Sequence, residues 1–268
     1  MKVKEVVERI KTACGNPELE NTCDLLVSGD WENEVTGIVC TFMATVNVIR
    51  DTIHQGANLI ITHEPTFFTS MEMGNTDWLQ QDEVYQKKRA LLEAHEINIW
   101  RFHDHMHRHD PDLIFAGVEK ALGWENYQDP DHQHCYQIPR TNVSDLTRVL
   151  STKLCVKTPR IVGNPDDQVN RVGLLAGGGS LGLGREEMPM ELMREANLDV
   201  IVCGEILEWT LCAYVRDAAQ LEFNKSLIIL GHNRTEEAGM EYLPEWLSPL
   251  LPDLPIRFIE SGEPFKAG

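Results

Sequence analysis

Leu59-Ile60-Ile61-Thr62-His63-Glu64-Pro65 and Leu227-Ile228-Ile229-Leu230-Gly231-His232 decide the fold of this chain. Each is an apolar run of strand length, without polar alternation, that stops at a histidine. Such runs read as strands buried on both faces, the habit of parallel strands covered by helices. Working outward, the same pattern predicts strands over 37–42, 58–62, 97–102, 172–176, 200–203 and 227–230. Helical periodicity lies between them, over 45–55, 84–95, 113–122, 186–196 and 208–221. Strand and helix in alternation predict an α/β fold, with two similar lobes built on mixed, largely parallel sheets. The first lobe is expected over 1–125 and the second over 171–268. The Pro- and Asp-punctuated stretch 126–170 reads as a short connector carrying one helix that starts near Ser144.

Composition excludes several classes. The 268 residues carry 24 Lys+Arg against 42 Asp+Glu, a formal charge of −18, and so acidic a surface repels nucleic-acid backbones. No apolar run reaches the ~18 residues of a membrane span, and the charged, helical N-terminus lacks the apolar centre of a secretion signal. The seven cysteines are scattered and contain no CxxC pair, which argues against a disulfide framework and a structural zinc knot. The expectation is a soluble, cytoplasmic protein with no nucleic-acid or membrane partner.

Three clusters carry chemistry, each directly after a predicted strand, where open α/β sheets place their ligands. The first is His63-Glu64-Pro65. The second is His103-Asp104-His105-Met106-His107-Arg108-His109, with four of the ten histidines in seven residues. The third is His232-Asn233-Arg234-Thr235-Glu236, in which His232 and Glu236 lie over one turn if a helix starts there. Read blandly these are a solvated loop, a histidine-rich loop and an ordinary helix cap. Together they pool enough imidazoles and carboxylates for two divalent cations, and that donor mix suits Zn, Mn, Fe or Ni better than Ca or Mg. Glu205 ends another predicted strand and reads as a general base, a partner orienting a ligand or a helix-start carboxylate. Gly177-Gly178-Gly179-Ser180-Leu181-Gly182 formally satisfies GxGxxG, but no helix pattern follows at once, so it reads first as a structural turn.

In this order, ITHEP, HDHMH with a following helix that ends ALGW, GGGS, VIVCGE, LGHNRTEE and a terminal EPF resemble the NIF-three-like dinuclear metal-centre family. Its members are often labelled GTP cyclohydrolase type-two-like. The resemblance implies two lobes facing a central metal cleft, two metal ions per chain and a homo-hexameric ring. It also implies a pattern of two adjacent histidines, then HxxxD, then HxxxE. Here His63 matches the first histidine and Glu64 replaces the second. His103 opens the second motif, with His107 in place of its aspartate unless Asp104 supplies that carboxylate. His232 and Glu236 match the third.

The implied function is a metal-dependent hydrolase acting on a small molecule, a nucleotide or another phosphorylated metabolite. In it His63 and His232 hold one metal, Glu64 and His107 the other, Glu236 bridges, His103 assists and Glu205 moves protons. The alternative is a non-catalytic metal-binding adaptor or metal-storage ring. A third reading, a dinucleotide-dependent enzyme, needs the glycine turn to open a helix.

Overall fold

The computed structural model describes residues 1–15, 19–70, 72 and 77–266. In chain order its elements are α1 (Val3–Ala13), β1 (Leu26–Ser28), β2 (Ile38–Thr41), α2 (Val46–His54), β3 (Leu59–Thr62), α3 (Glu83–Ala94), β4 (Asn98–Arg101), α4 (Asp104–Arg108) and α5 (Leu113–Leu122). They continue with β5 (Cys135–Asn142), α6 (Val143–Lys153), β6 (Arg160–Val162), β7 (Gln168–Leu175), α7 (Met188–Glu195), β8 (Val200–Cys203), α8 (Leu211–Gln220), β9 (Ser226–Ile229), α9 (His232–Leu247) and β10 (Ile256–Phe258). Side chains that satisfy the first helical N–H groups fix where several helices begin. Thr45 accepts from Val48 N, Asp82 from Tyr85 N and Asn142 from Asp145 N.

The chain divides into two compact units, Met1–Gly117 with Gly239–Ser261, and Val118–Ala238 with the residues from Gly262 onward. The first holds a five-stranded sheet in the order β1-β4-β3-β2-β10. It is parallel throughout except that edge strand β1 runs antiparallel to β4. Every residue of β2, β3 and β4 is buried, because helices cover both faces. Ile38, Leu59, Ile61 and Trp100 meet Val6 and Ile10 of α1 and Leu243 and Leu247 of α9. The alternate residues Val39, Ile60 and Ile99 meet Val48 and Ile49 of α2 and Leu92 of α3. This two-residue alternation across a sheet explains why the strands are apolar along their middles, with polar residues, Thr41, Thr62, Asn98 and Arg101, only at their ends.

The second unit holds the order β5-β7-β8-β9-β6. Its three central strands are parallel and both edges antiparallel. The stretch expected as a connector, 126–170, instead supplies β5, α6, β6 and the start of β7, and so builds part of this sheet. Edge strand β5 buries three of its eight residues and β6 none, so no continuous apolar run marks them. The expected lobe boundaries shift at the other end too. The 239–261 segment packs with the first unit, where β10 pairs with β2. Among the described residues no helix is long and apolar enough to cross a membrane, and none of the seven cysteines is in a disulfide.

One close approach inside the first unit makes a test. A Cβ on Gly239 of α9 would lie 2.6 Å from Ile114 Cα and 3.0 Å from Ile114 O. Alanine gains about 1 kcal/mol of helix propensity over glycine, whereas overpacking backbone against backbone costs about 1–3 kcal/mol or more. Gly239→Ala should therefore lower the thermal midpoint. A midpoint that rises would show that α9 and α5 have room to part.

Candidate metal centre

Strand geometry assembles the first ligand set. Adjacent parallel strands β3 and β4 end side by side, with Thr62 paired to Arg101, so the residues that follow leave the sheet at the same edge. His63 is fully buried and its Nδ1 lies 3.2 Å from Phe102 O. The histidine tract is a helix and not the loop of the bland reading. In α4 the histidines at 103 and 107 are one turn apart on one face, while His105 points elsewhere. The rings of His63, His103 and His107 converge, with centroids 4.5 Å (His63–His103), 5.1 Å (His63–His107) and 4.8 Å (His103–His107) apart. One nitrogen of each lies within 4.8 Å of the others. Glu64 joins them, its Oε1 3.9 Å from His103 Nε2.

The remaining nitrogens are already engaged. His103 Nδ1 is 2.9 Å from Asp104 Oδ1, and His107 Nδ1 is 2.9 Å from Asp112 Oδ2. An acceptor at Nδ1 places the ring proton there and leaves Nε2 as the lone-pair donor, the arrangement that orients metal-binding histidines. His107 belongs to the three-imidazole group, while Asp104 orients His103. The His103 imidazole and the Cys23 N–H beside it hold the Asp104 carboxyl well below the usual carboxylate range.

Two residues that the sequence reading did not single out hold this set in place. Buried Asp24 accepts from His103 N at 2.7 Å, Asp104 N at 2.8 Å and His105 N at 3.0 Å, and also meets His105 Nδ1 at 2.5 Å. It thereby satisfies the opening N–H groups of α4. Buried Arg101 donates from Nε to His63 O at 3.1 Å and from Nη1 to Ser70 O at 2.7 Å, with Nη2 3.4 Å from Glu64 Oε2. One guanidinium fork thus fixes both the backbone of His63 and the carboxylate of Glu64.

The second unit gathers the other expected residues by the same rule, at the ends of its parallel strands β7, β8 and β9. His232 and Glu236 open α9, with His232 Nε2 3.0 Å from Glu236 Oε2. His232 Nδ1 lies 3.1 Å from Glu205 Oε1, so Glu205 orients this imidazole as Asp104 and Asp112 orient theirs. The glycine turn does more than reverse the chain. Gly177 has φ +51°, and a Cβ there would sit 1.9 Å from Glu236 Oε1 and 2.8 Å from His232 Nε2. Only glycine lets the backbone approach the pair this closely. The turn is followed by a single tight turn at Gly179–Leu181, and α7 begins only at Met188, so the dinucleotide fingerprint is absent.

The profile of the Duf34/NIF3 (NGG1p interacting factor 3) family matches residues 1–264. The chain belongs to this family. Curated relatives include a GTP cyclohydrolase 1 type 2 homolog of Clostridium perfringens, 22% identical over 90% of this chain and 89% of that protein. Another bears the same name in Haemophilus influenzae, at 24% over 81% of each. Solved structures share the fold. A Staphylococcus aureus hypothetical protein has a TM-score of 0.76 at 18% identity, covering 100% of this chain and 99% of its own. Reduced HcgD of Methanocaldococcus jannaschii has a TM-score of 0.66 at 20% identity, covering 96% and 97%.

In this NIF3-family chain the donor set itself is the test of fit for a divalent cation. In the first unit three imidazoles, two of them with Nδ1 against a carboxylate, stand beside Glu64, and in the second His232 and Glu236 face the Gly177 turn; each set offers donors of the kind that divalent cations take. Two substitutions probe that support. Asp112→Asn keeps the oxygen that accepts from Ile114 N and Phe115 N, so α5 keeps its cap. It puts an NH₂ donor opposite His107 Nδ1 and drives that ring to the wrong tautomer. Metal affinity, read by competition with a chelator, should fall about 10–100-fold with the fold intact. Gly177→Ala should weaken metal binding at least as much, since the methyl displaces Glu236. Unchanged affinity in either variant would remove that residue from the account.

Proposed function

We propose that this chain is a dinuclear divalent-metal protein that hydrolyses a small phosphorylated substrate, a nucleotide or a related metabolite. The observation that carries the reading is the shared orientation of His63, His103, His107 and His232, each with Nδ1 against an oxygen. With Glu64 and Glu236 they supply six donors, which leaves two four-coordinate cations open positions for water and substrate. Zn, Mn, Fe and Ni all suit this mixture.

When bound, a pair of such cations neutralises charge on a phosphoryl or amide oxygen and makes water acidic enough to attack near neutral pH. The chain supplies the rest. Asp104, Asp112 and Glu205 keep protons at the Nδ1 atoms of their imidazoles. Arg101 fixes the direction of Glu64. Glu205, half exposed on its side chain, is placed to pass protons between His232 and solvent. The net charge of −18 repels anionic substrates at long range, so local cations are what make a phosphorylated substrate acceptable. The relatives' shared name, GTP cyclohydrolase 1 type 2 homolog, makes nucleoside triphosphates the first substrates to test. We place the protein in the cytoplasm, as a homo-hexamer.

Elemental analysis of the purified protein, followed by a hydrolysis screen of nucleotides, phosphoesters and amides in Mn or Zn, tests this reading. Two metals per chain are expected, with turnover lost by about two orders of magnitude or more in His63→Ala and Glu236→Ala. Bound metal without turnover of any of these classes would point instead to the adaptor or storage role.

A further inference from the structure

The Asp104 carboxylate that orients His103 also faces a thiol. Its Oδ2 is pinned by two donors, Thr22 Oγ1 at 2.9 Å and Cys23 N at 3.0 Å. Its Oδ1 faces the other way, 2.9 Å from His103 Nδ1 and 3.4 Å from Cys23 Sγ. One ligand atom each from Cys23, His103 and Asp104 falls within 4.8 Å of the others, and all three residues are part-exposed. Tetrahedral binding with Zn–S near 2.3 Å and Zn–N or Zn–O near 2.0–2.2 Å places neighbouring ligand atoms about 3.4–3.6 Å apart. The sulfur–oxygen distance already meets that spacing. The nitrogen–oxygen distance falls short by only a few tenths of an ångström, which a small rotation of His103 supplies.

We propose that Cys23, His103 and Asp104 form an outer metal site of sulfur, nitrogen and oxygen donors, which shares only His103 with the imidazole and carboxylate sets already described. It takes a borderline divalent cation such as Zn(II), Co(II) or Fe(II), for which a thiolate is a preferred ligand. Three protein ligands leave a position open to water. The protons that hold Sγ and Nδ1 against Oδ1 are the ones a cation replaces and releases to solvent. His103 is common to both sets, since Nε2 faces Glu64 at 3.9 Å while Nδ1 faces Asp104. A cation in the outer site therefore bears directly on a ligand of the inner one, which makes the outer site a loading station beside it. Only this last point rests on the inner-ligand reading.

Cobalt(II) titrated into the metal-stripped full chain separates the two. A near-ultraviolet sulfur-to-cobalt charge-transfer band should appear in the wild type, vanish in Cys23→Ser and persist in His107→Ala. The visible cobalt absorption of the inner ligands should survive in Cys23→Ser. A wild type without the charge-transfer band, or a band that persists in Cys23→Ser, overturns the outer site and leaves the inner reading intact. A charge-transfer band without further cobalt uptake overturns the inner reading and leaves the outer site. Should Cys23→Ser fail to fold, alkylation of the wild-type protein decides. Zn(II) should slow iodoacetamide modification of Cys23, and an unchanged rate overturns the proposal.

Discussion

A neutral imidazole offers a metal one nitrogen while the other holds its proton, and this chain sets an oxygen against the same nitrogen of four histidines. Phe102 O, Asp104, Asp112 and Glu205 each stand against an Nδ1. Without those acceptors the rings could turn or adopt the other tautomer, and a convergence of side chains would be only a cluster of histidines. Two of these supports, Asp104 and Asp112, lie within five residues of the histidines they face, so ring and support arrive together when a strand ends. Phe102 and Glu205, each at the end of a neighbouring strand of the same sheet, are the long-range ones.

The fold keeps these strand ends from drifting. Strands β2, β3 and β4 have no exposed residue, and burying each large aliphatic side chain is worth about 1.5–3 kcal/mol. Their register is therefore set by packing on two faces at once. A buried carboxylate or guanidinium would be expensive in such a place if left alone. Asp24 and Arg101 meet that cost by bonding to the backbone of the ligand segments. The same polar groups that the interior requires to be satisfied are the ones that aim the site.

Much of this was legible in the sequence, for a physical reason. Central parallel strands are buried on both faces and apolar along their middles, so β2, β3, β4, β8 and β9 announce themselves, and the polar residues that follow them stand out. Edge strands have no such signature. β1, β6 and β10 have no fully buried residue and β5 buries three of its eight, and this is why 126–170 reads as a connector although it forms much of the second sheet. Asp24 was illegible because nothing local ties it to a helix eighty residues later. Asp112 was half legible, since an Asp ahead of an apolar helix signals a cap but not its second bond to His107. The glycine turn was read for its shape, whereas its use, a close approach to His232 and Glu236, depends on contacts made only in the folded unit.

The central claim is that the imidazoles bind through Nε2 because their Nδ1 atoms are taken. Anomalous diffraction from crystals grown with Zn or Mn tests it most directly. The account predicts a peak within bonding distance of Nε2 of His63, His103 and His107, with Asp112 still hydrogen-bonded to His107 Nδ1. A metal ligated through Nδ1 of His63 or His107, or metal-loaded crystals with no peak beside these rings, would contradict it.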